Sequence, residues 1–271
     1  MKNRNLNYSS AHKKYLRGLK LKTFSVHLVR ILLLFVVLGL WELCATTQLI
    51  DPFISSSPSR RINQIKILAG NGALWHHSSV TLYETVLAFS ISTLVGTIVA
   101  ILLYAVPFIR KVLEPYLIVL NSLPKIALGP LIIVWMGTGT KAIVAMGILI
   151  CIVITTISML NGYLSVDKEK ILLLKTMGAS KLQILFKLIL PATFSDFISI
   201  LKINVGMSWV GTVMGEYLTS KAGLGYLIVY GGQVFKLDLV MAAIVVLCIL
   251  AGLMYAIIAS LELIVNSKRN K

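Results

Sequence analysis

Six apolar runs, each long enough to cross a bilayer, organise this chain and leave it few folds: 24–46, 82–106, 112–136, 141–160, 194–216 and 239–264. A hydrocarbon core takes about 20 apolar residues in helical form, and a helix keeps its backbone donors and acceptors paired where no water reaches them. Hydrophobic residues make up 57% of the chain, charged residues 13%, and the mean hydropathy is +0.87. Soluble domains lie nearer ~45–50% apolar. The expected fold class is therefore an all-α membrane protein with six transmembrane helices. The third run is broken by Pro124 and Pro130 and the fifth carries several polar groups. Both are tolerable inside a packed bundle and poorly tolerated on a lone helix facing lipid.

The net charge of +16 would point to nucleic acid if it formed one soluble face. Here the basic residues sit in tails and loops beside the apolar runs, so they report topology, and no nucleic-acid partner is expected. With the N-terminus in the cytoplasm, the inside segments hold 17 Lys and Arg and the outside loops six. The positive-inside rule thus places both termini inside, as an even number of spans requires. The expected organisation is a basic cytoplasmic tail (1–23), a first span with an external loop (24–80), a core transmembrane bundle containing the 167–191 segment (81–265) and a short cytoplasmic tail (266–271). The 24–46 run is too long for a signal-peptide core and no small-residue cleavage site follows it. In the external loop, 55–59 is turn-rich and 62–69 suits a short amphipathic helix at the interface. Contact of the basic tail with membrane lipid is open beside a plain topogenic role. Cys44, Cys151 and Cys248 are far apart and apolar in context, which suggests neither a disulfide framework nor a metal site.

One segment between the spans is too charged to cross the membrane and too patterned to be a slack loop. From Asp167 the sequence predicts a helix to Met177, with Asp167 and Glu169 in the first turn where the dipole favours them. Gly178 suits a helix C′ position with positive φ. After Ala179, Ser180 suits the N-cap of a second helix, with Gln183 completing a capping box. Pro191 is expected to end that helix or kink it into the next span. The apolar run Ile171, Leu172, Leu173, Leu174 needs cover from lipid, the bundle or a partner, so a docking elbow and a partnerless interfacial helix both fit.

Gly178, Leu188, Leu190 and Pro191 fit half of the cytoplasmic signature of importer permeases in the ATP-binding-cassette (ABC) superfamily, with Leu for the usual Ile. Gly178-Ala179-Ser180, Gln183 and Pro191-Ala192 resemble the nitrate/sulfonate/taurine branch. So do Pro115, Pro124, Ala127, Pro130-Leu131, Trp135, Gly137 and Gly139, and then Leu201-Lys202, Gly206, Trp209, Glu216 and Gly223-Leu224-Gly225-Tyr226, with Trp41 and Pro58 upstream. The resemblance covers about 41–262. Leu172-Leu173-Leu174 departs from the usual Glu-Ala-Ala, which makes the docking surface greasier and leaves its acidic contact missing or supplied by Glu169.

The resemblance implies a type I, MetI-like permease architecture in which two copies pair around a central path. It also implies docking of the 167–191 segment on separate ATPase subunits and an external binding protein that delivers the solute. ATP and Mg would bind to the ATPase, with no cofactor in this chain. The chain has no phosphate-loop sequence and no catalytic triad, and the letters from Gly137 to Lys141 have the wrong spacing. His76 and His77 are expected as solvated or interfacial side chains.

Ionisable and polar groups at membrane depth usually face the bundle interior or a cavity, which makes the fifth run the source of translocation-path candidates. Asn204, Ser208 and Thr212 share one helix stripe. Lys202 fits substrate contact or snorkelling to the headgroups. Glu216 fits an interfacial pairing or an external gate, and Trp209 fits path lining or packing. Gly211 and Gly215 permit close helix packing, within the chain or between two copies. The resemblance favours a small anion as cargo (sulfonate, taurine or nitrate), with thiamine-type precursors as the alternative. Two other readings are an ion-coupled secondary transporter and a membrane scaffold or receptor. Against the first stands the lack of a visible inverted repeat.

Overall fold

The computed structural model describes residues 25–47, apart from 27, 31, 34 and 38, and residues 57–269. Expectations for the tail 1–23, for Ser55 and Ser56 and for residues 270–271 lie outside the described residues. The chain divides into two compact units, Met1–Asn63 and Gln64–Lys271.

In the first unit, α1 (Leu28–Thr46) carries apolar side chains that stay exposed along its length, including Leu32, Leu33, Phe35, Leu40 and Leu43. Such a surface suits lipid rather than water. Near its end the Arg61 guanidinium lies 3.5 Å from the centre of the Trp41 ring, a cation–π contact. Beside it the Glu42 carboxylate accepts from Ser59 N (3.1 Å) and Ser59 Oγ (2.8 Å) in the first turn of α2 (Pro58–Gly70). A carboxylate there satisfies orphan donors and meets the positive end of the helix. The short helix expected at 62–69 is thus real and longer.

The second unit takes up the chain with α3 (Ala73–Ala105), α4 (Pro107–Ser122), a 3-10 turn (Lys125–Leu128) and α5 (Gly129–Met136). It continues with α6 (Thr140–Leu164), α7 (Lys168–Thr176), α8 (Lys181–Ile184), α9 (Phe194–Thr219), α10 (Leu224–Gln233) and α11 (Leu237–Arg269). Among the described residues five helices, α1, α3, α6, α9 and α11, are long and apolar enough to cross a membrane. The expected third span is instead a pair, α4 followed by 125–136, bent by 87°. Leu123 precedes Pro124 and takes an extended conformation (φ −64°, ψ 139°), because the proline ring disfavours helix at the residue before it. Pro130, by contrast, sits in the first turn of α5, where its missing N–H costs nothing. The second span also starts at Ala73 rather than near residue 82.

Helices α3, α6 and α9 form the centre of the unit, and small residues bring them together. A Cβ on Gly211 of α9 would lie 2.5 Å from Gly147 Cα of α6, and one on Gly147 would lie 2.6 Å from Ala88 Cβ of α3. Backbones meet there, as small-residue packing in membranes allows. The Gly211/Gly215 pair is therefore used within one chain, with Gly215 against Ile143 of α6. Helix α10 packs on α11 through Leu224, Leu227, Leu239 and Ala243, joined by Leu68, from the part of α2 that belongs to this second unit.

Candidate functional site: the α7–α8 elbow and the polar seam of α9

The sequence builds a tight joint between α7 and α8. Asp167 caps α7, its Oδ1 accepting from Glu169 N at 2.9 Å. At the other end Gly178 has φ +80°, Gly178 N donates to Lys175 O (3.0 Å) and Ala179 N donates to Leu174 O (2.9 Å). These two bonds make a Schellman stop. Leu174 and Ala179 supply its apolar contact, both packing on the core formed by Tyr163, Ile184 and Ile189. Ser180 then caps α8 with a complete capping box: Gln183 N donates to Ser180 Oγ (3.3 Å) and Ser180 N donates to Gln183 Oε1 (2.8 Å).

The helix does not stop at Pro191. It widens into a π-helical turn, Leu185–Ile189, continues through Leu190–Ala192 and breaks at Thr193, whose Oγ1 donates to Ile189 O at 2.9 Å. Proline lacks the N–H that an α-helix needs, and widening the turn before it absorbs the misfit.

The elbow has two faces. Ile171, Leu174, Ala179 and Leu188 pack inward. Leu172 and Leu173, with Met177, Leu182 and Phe186, stay exposed. The run 171–174 is thus split by helical geometry rather than covered as a block. Lys168, Lys170, Lys175, Lys181 and Lys187 surround the exposed apolar side chains, so the elbow presents a greasy surface with a basic rim. Of the two acids, Asp167 is engaged in capping and Glu169 lies exposed. Leu182 and Phe186 belong to this surface although sequence reasoning passed over them. Their signal is an apolar side chain on the outer face of a capped helix.

The candidate path residues turn elsewhere. Asn204, Ser208 and Thr212 do share a stripe of α9, but it faces α3 and α6, and all three are fully buried. Asn204 Nδ2 donates to Thr93 Oγ1 (3.0 Å) and Thr155 Oγ1 (2.8 Å). Ser208 Oγ donates to Asn204 O (2.8 Å) and lies 3.4 Å from Cys151 Sγ. Trp209 is buried against Ile198, Val205 and Ile258. Lys202 pairs with Glu262 of α11 at 2.7 Å, so it does not snorkel freely. In the single chain the stripe expected to line a path faces the interior seam of the bundle, where Asn204 Nδ2 and Ser208 Oγ are bonded and Asn204 Oδ1 and Thr212 Oγ1 are buried without a partner. The open face of α9 is the neighbouring stripe: Asp196, Ser199, Ile203, Gly206, Val210 and Tyr217.

Glu216 is buried as well, its Oε2 accepting from Gly225 N at 2.5 Å. His77 is not simply solvated. Its Nδ1 accepts from Gly223 N (3.0 Å) and its ring stacks on Tyr226, with centroids 6.0 Å apart. Glu84 of α3, buried beside Glu216, was not singled out by sequence. A carboxyl within an apolar run was the available signal.

With this geometry in view, the comparisons with known proteins are informative. The family model of the binding-protein-dependent transport system inner membrane component matches residues 92–270. A probable ABC transporter permease protein of Haemophilus influenzae is 32% identical over 83% of this chain and 91% of its own length. The taurine transport system permease protein TauC of Escherichia coli is 30% identical, over 81% and 82%. Among solved structures, an inward-facing MetNI methionine ABC transporter chain aligns with a TM-score of 0.58 and 20% identity. The alignment covers 67% of this chain and 92% of that one. That likeness establishes the type I importer-permease fold expected from the sequence.

Proposed function

Because the chain belongs to the family of binding-protein-dependent transport system inner membrane components, and is a multi-pass permease subunit of an ABC importer, we propose that it forms the path for a small sulfonate-type anion. In this reading two copies pair, an external binding protein delivers the solute, and separate ATPase chains hold ATP and Mg. In keeping with its five lysines and the positive-inside rule, the elbow lies in the cytoplasm in this reading and docks on the ATPase through Leu172, Leu173, Met177, Leu182 and Phe186. The sulfonate class rests on the similarity to the taurine permease. The path runs along the open face of α9, while Asn204 ties that helix to α3 and α6.

The single observation that carries the docking role is the exposed apolar patch on a joint whose every turn is capped. A flexible loop would transmit no push, and a buried helix would meet no partner. The thin packing of α4, which has no buried residue within one chain, suits burial against a second copy. The test is reconstitution in liposomes with the co-purifying ATPase and binding protein, followed by uptake of labelled taurine. ATP-dependent uptake that disappears on deletion of 167–183, with the protein still in the membrane, supports the reading. Uptake that survives ATP removal and collapses with an ion gradient overturns it.

A further inference from the structure

A hollow lies between the elbow and the place where the chain leaves the span α3. Helix α3 ends at Ala105 because Val106 precedes a proline and takes a non-helical conformation (φ −118°, ψ 87°). Pro107 then opens α4, where its missing N–H costs nothing. The elbow covers this corner only in part and leaves a cavity of about 200 Å³. Tyr104, Ala105 and Pro107 line it from the bundle, and Ile171 of α7 and Leu185 of the π-helical turn line it from the elbow. The bundle side is fixed, since the Tyr104 ring meets Tyr163 of α6 edge-on with centroids 6.0 Å apart.

Two lysines line the same apolar hollow, Lys175 before the Gly178 turn and Lys181 after it. Among the described residues neither has an ion-pair or hydrogen-bond partner. The acids of the elbow do not serve them. Asp167 caps α7, and Glu169 precedes Lys175 by six positions and so lies on another face of that helix. Two exposed ammonium groups repel only weakly across water, whereas an anion seated between them gains from both.

The lining selects among anions. A free phosphate ion has no apolar part and would leave Tyr104, Ala105 and Ile171 facing water. A carboxylate on a docked ATPase would meet the outer patch of the elbow, and of that patch only Leu182 reaches the hollow; Leu172, Leu173, Met177 and Phe186 do not. The hollow instead stands at the end of a membrane span, with the exposed apolar side chains of Leu102 and Phe108 on either side of its floor in sequence. That is the level of lipid headgroups, where basic pockets beside membrane helices hold anionic lipids. An apolar cavity of about 150 Å³ takes a benzene-sized solute. The hollow therefore has room for the glycerol end of a phospholipid and its first methylenes, with the acyl chains outside.

We propose that this hollow seats one anionic phospholipid from the membrane face that carries the elbow. Its phosphodiester lies between Lys175 and Lys181, and its glycerol end rests against Tyr104, Ala105 and Ile171. One phosphate thereby spans the Gly178 joint and ties α7 and α8 to the end of α3. The site is independent of the solute carried.

The experiment titrates phosphatidylglycerol onto the full chain with its co-purifying ATPase in mild detergent and counts bound molecules by native mass spectrometry. Phosphatidylcholine and inorganic phosphate are the comparison probes. Wild type should hold one phosphatidylglycerol about tenfold or more tightly than phosphatidylcholine, and Lys175→Gln with Lys181→Gln should weaken it about 30-fold, the scale of two lysines at an anionic surface. Ala105→Phe fills the hollow and keeps both lysines, and it should weaken binding about tenfold through lost apolar contact. Lys168→Gln with Lys187→Gln removes the same charge outside the hollow and should leave the affinity unchanged. Carbodiimide treatment of the complex should join neither Lys175 nor Lys181 to an ATPase carboxyl. A wild type with no preference for phosphatidylglycerol, or equal weakening by the two lysine pairs, would overturn the proposal. So would inorganic phosphate bound as tightly as the lipid, which marks a free-anion site, or a cross-link to the ATPase, which marks a protein contact. These readouts need neither ATP nor solute, so failure of the importer reading and failure of the lipid site are separable.

Discussion

Substitution of Gly178 tests whether the elbow works as a rigid joint. This residue has φ +80° and open space where a Cβ would stand, so a side chain costs backbone strain rather than crowding. For an L-residue the left-handed region costs about 1–2 kcal/mol, with β-branched side chains at the upper end and Asn well below it. The joint is closed by two Schellman bonds and a capping box, each worth roughly 1 kcal/mol net. Valine therefore removes a large share of what holds the joint, and its open population should rise about 5–30-fold, since ~1.4 kcal/mol is a factor of ten. Alanine should fall between, and Asn should stay within a few-fold of wild type. The assay pairs hydrogen exchange at Ala179 and Ser180 with solute moved per ATP hydrolysed in proteoliposomes. The expected order of loss is Val, then Ala, then Asn, with ATP hydrolysis retained throughout. A Gly178→Val protein whose Ala179 amide is as protected as wild type, or a Gly178→Asn protein as damaged as Gly178→Val, would refute the reasoning.

Further substitutions probe the bundle. Gly211→Ala forces α9 off Gly147 of α6 and should lower stability by about 1–3 kcal/mol. Gly206→Ala, with nothing within 4 Å, should be neutral or stabilising by up to ~1 kcal/mol; equal melting shifts in detergent would show that helix contact is not the cause. Asn204→Ala strips Thr93 and Thr155 of their shared donor and should cost roughly 1–3 kcal/mol, read as a lower melting temperature with transport specificity unchanged. Exchanging the ion pair as Lys202→Glu with Glu262→Lys should restore the uptake that either single change impairs. If the double variant is no better than the worse single one, Lys202 meets solute rather than Glu262.

The elbow was legible because its rules are local. A carboxylate at an N-cap, a glycine at C′ and a Ser–Gln box each act within four residues of chain; Gly178, Ser180 and Gln183 take the expected positions, and Asp167, expected in the first turn of α7, sits just before it as the N-cap. The bent third span was half legible. Pro124 announced a break, but the 87° turn depends on what packs against α4 and α5. The orientation of α9 was not legible. Period alone puts Asn204, Ser208 and Thr212 on one stripe, and the same stripe serves an open path or a closed seam. The choice is made by Thr93 and Thr155, which lie 111 and 49 residues away in sequence. Glu84 stayed hidden for the same reason, since only the fold brings it to Glu216.

Placed end to end, these features make α9 the shared element of two devices. One end follows Thr193, directly after the elbow, and the other carries Glu216, which holds the start of α10. Between them Gly211 and Gly215 lock the helix against α6, and Asn204 ties it to α3 and α6. Contacts of backbone on backbone leave no room for α9 to slide, because packed interiors switch between discrete arrangements rather than deform smoothly. On the docking proposal, a push at the elbow would therefore move α3, α6 and α9 as one body. The parts free to respond differently are those that this body holds only at an edge: the thinly packed α4–α5 pair and α10.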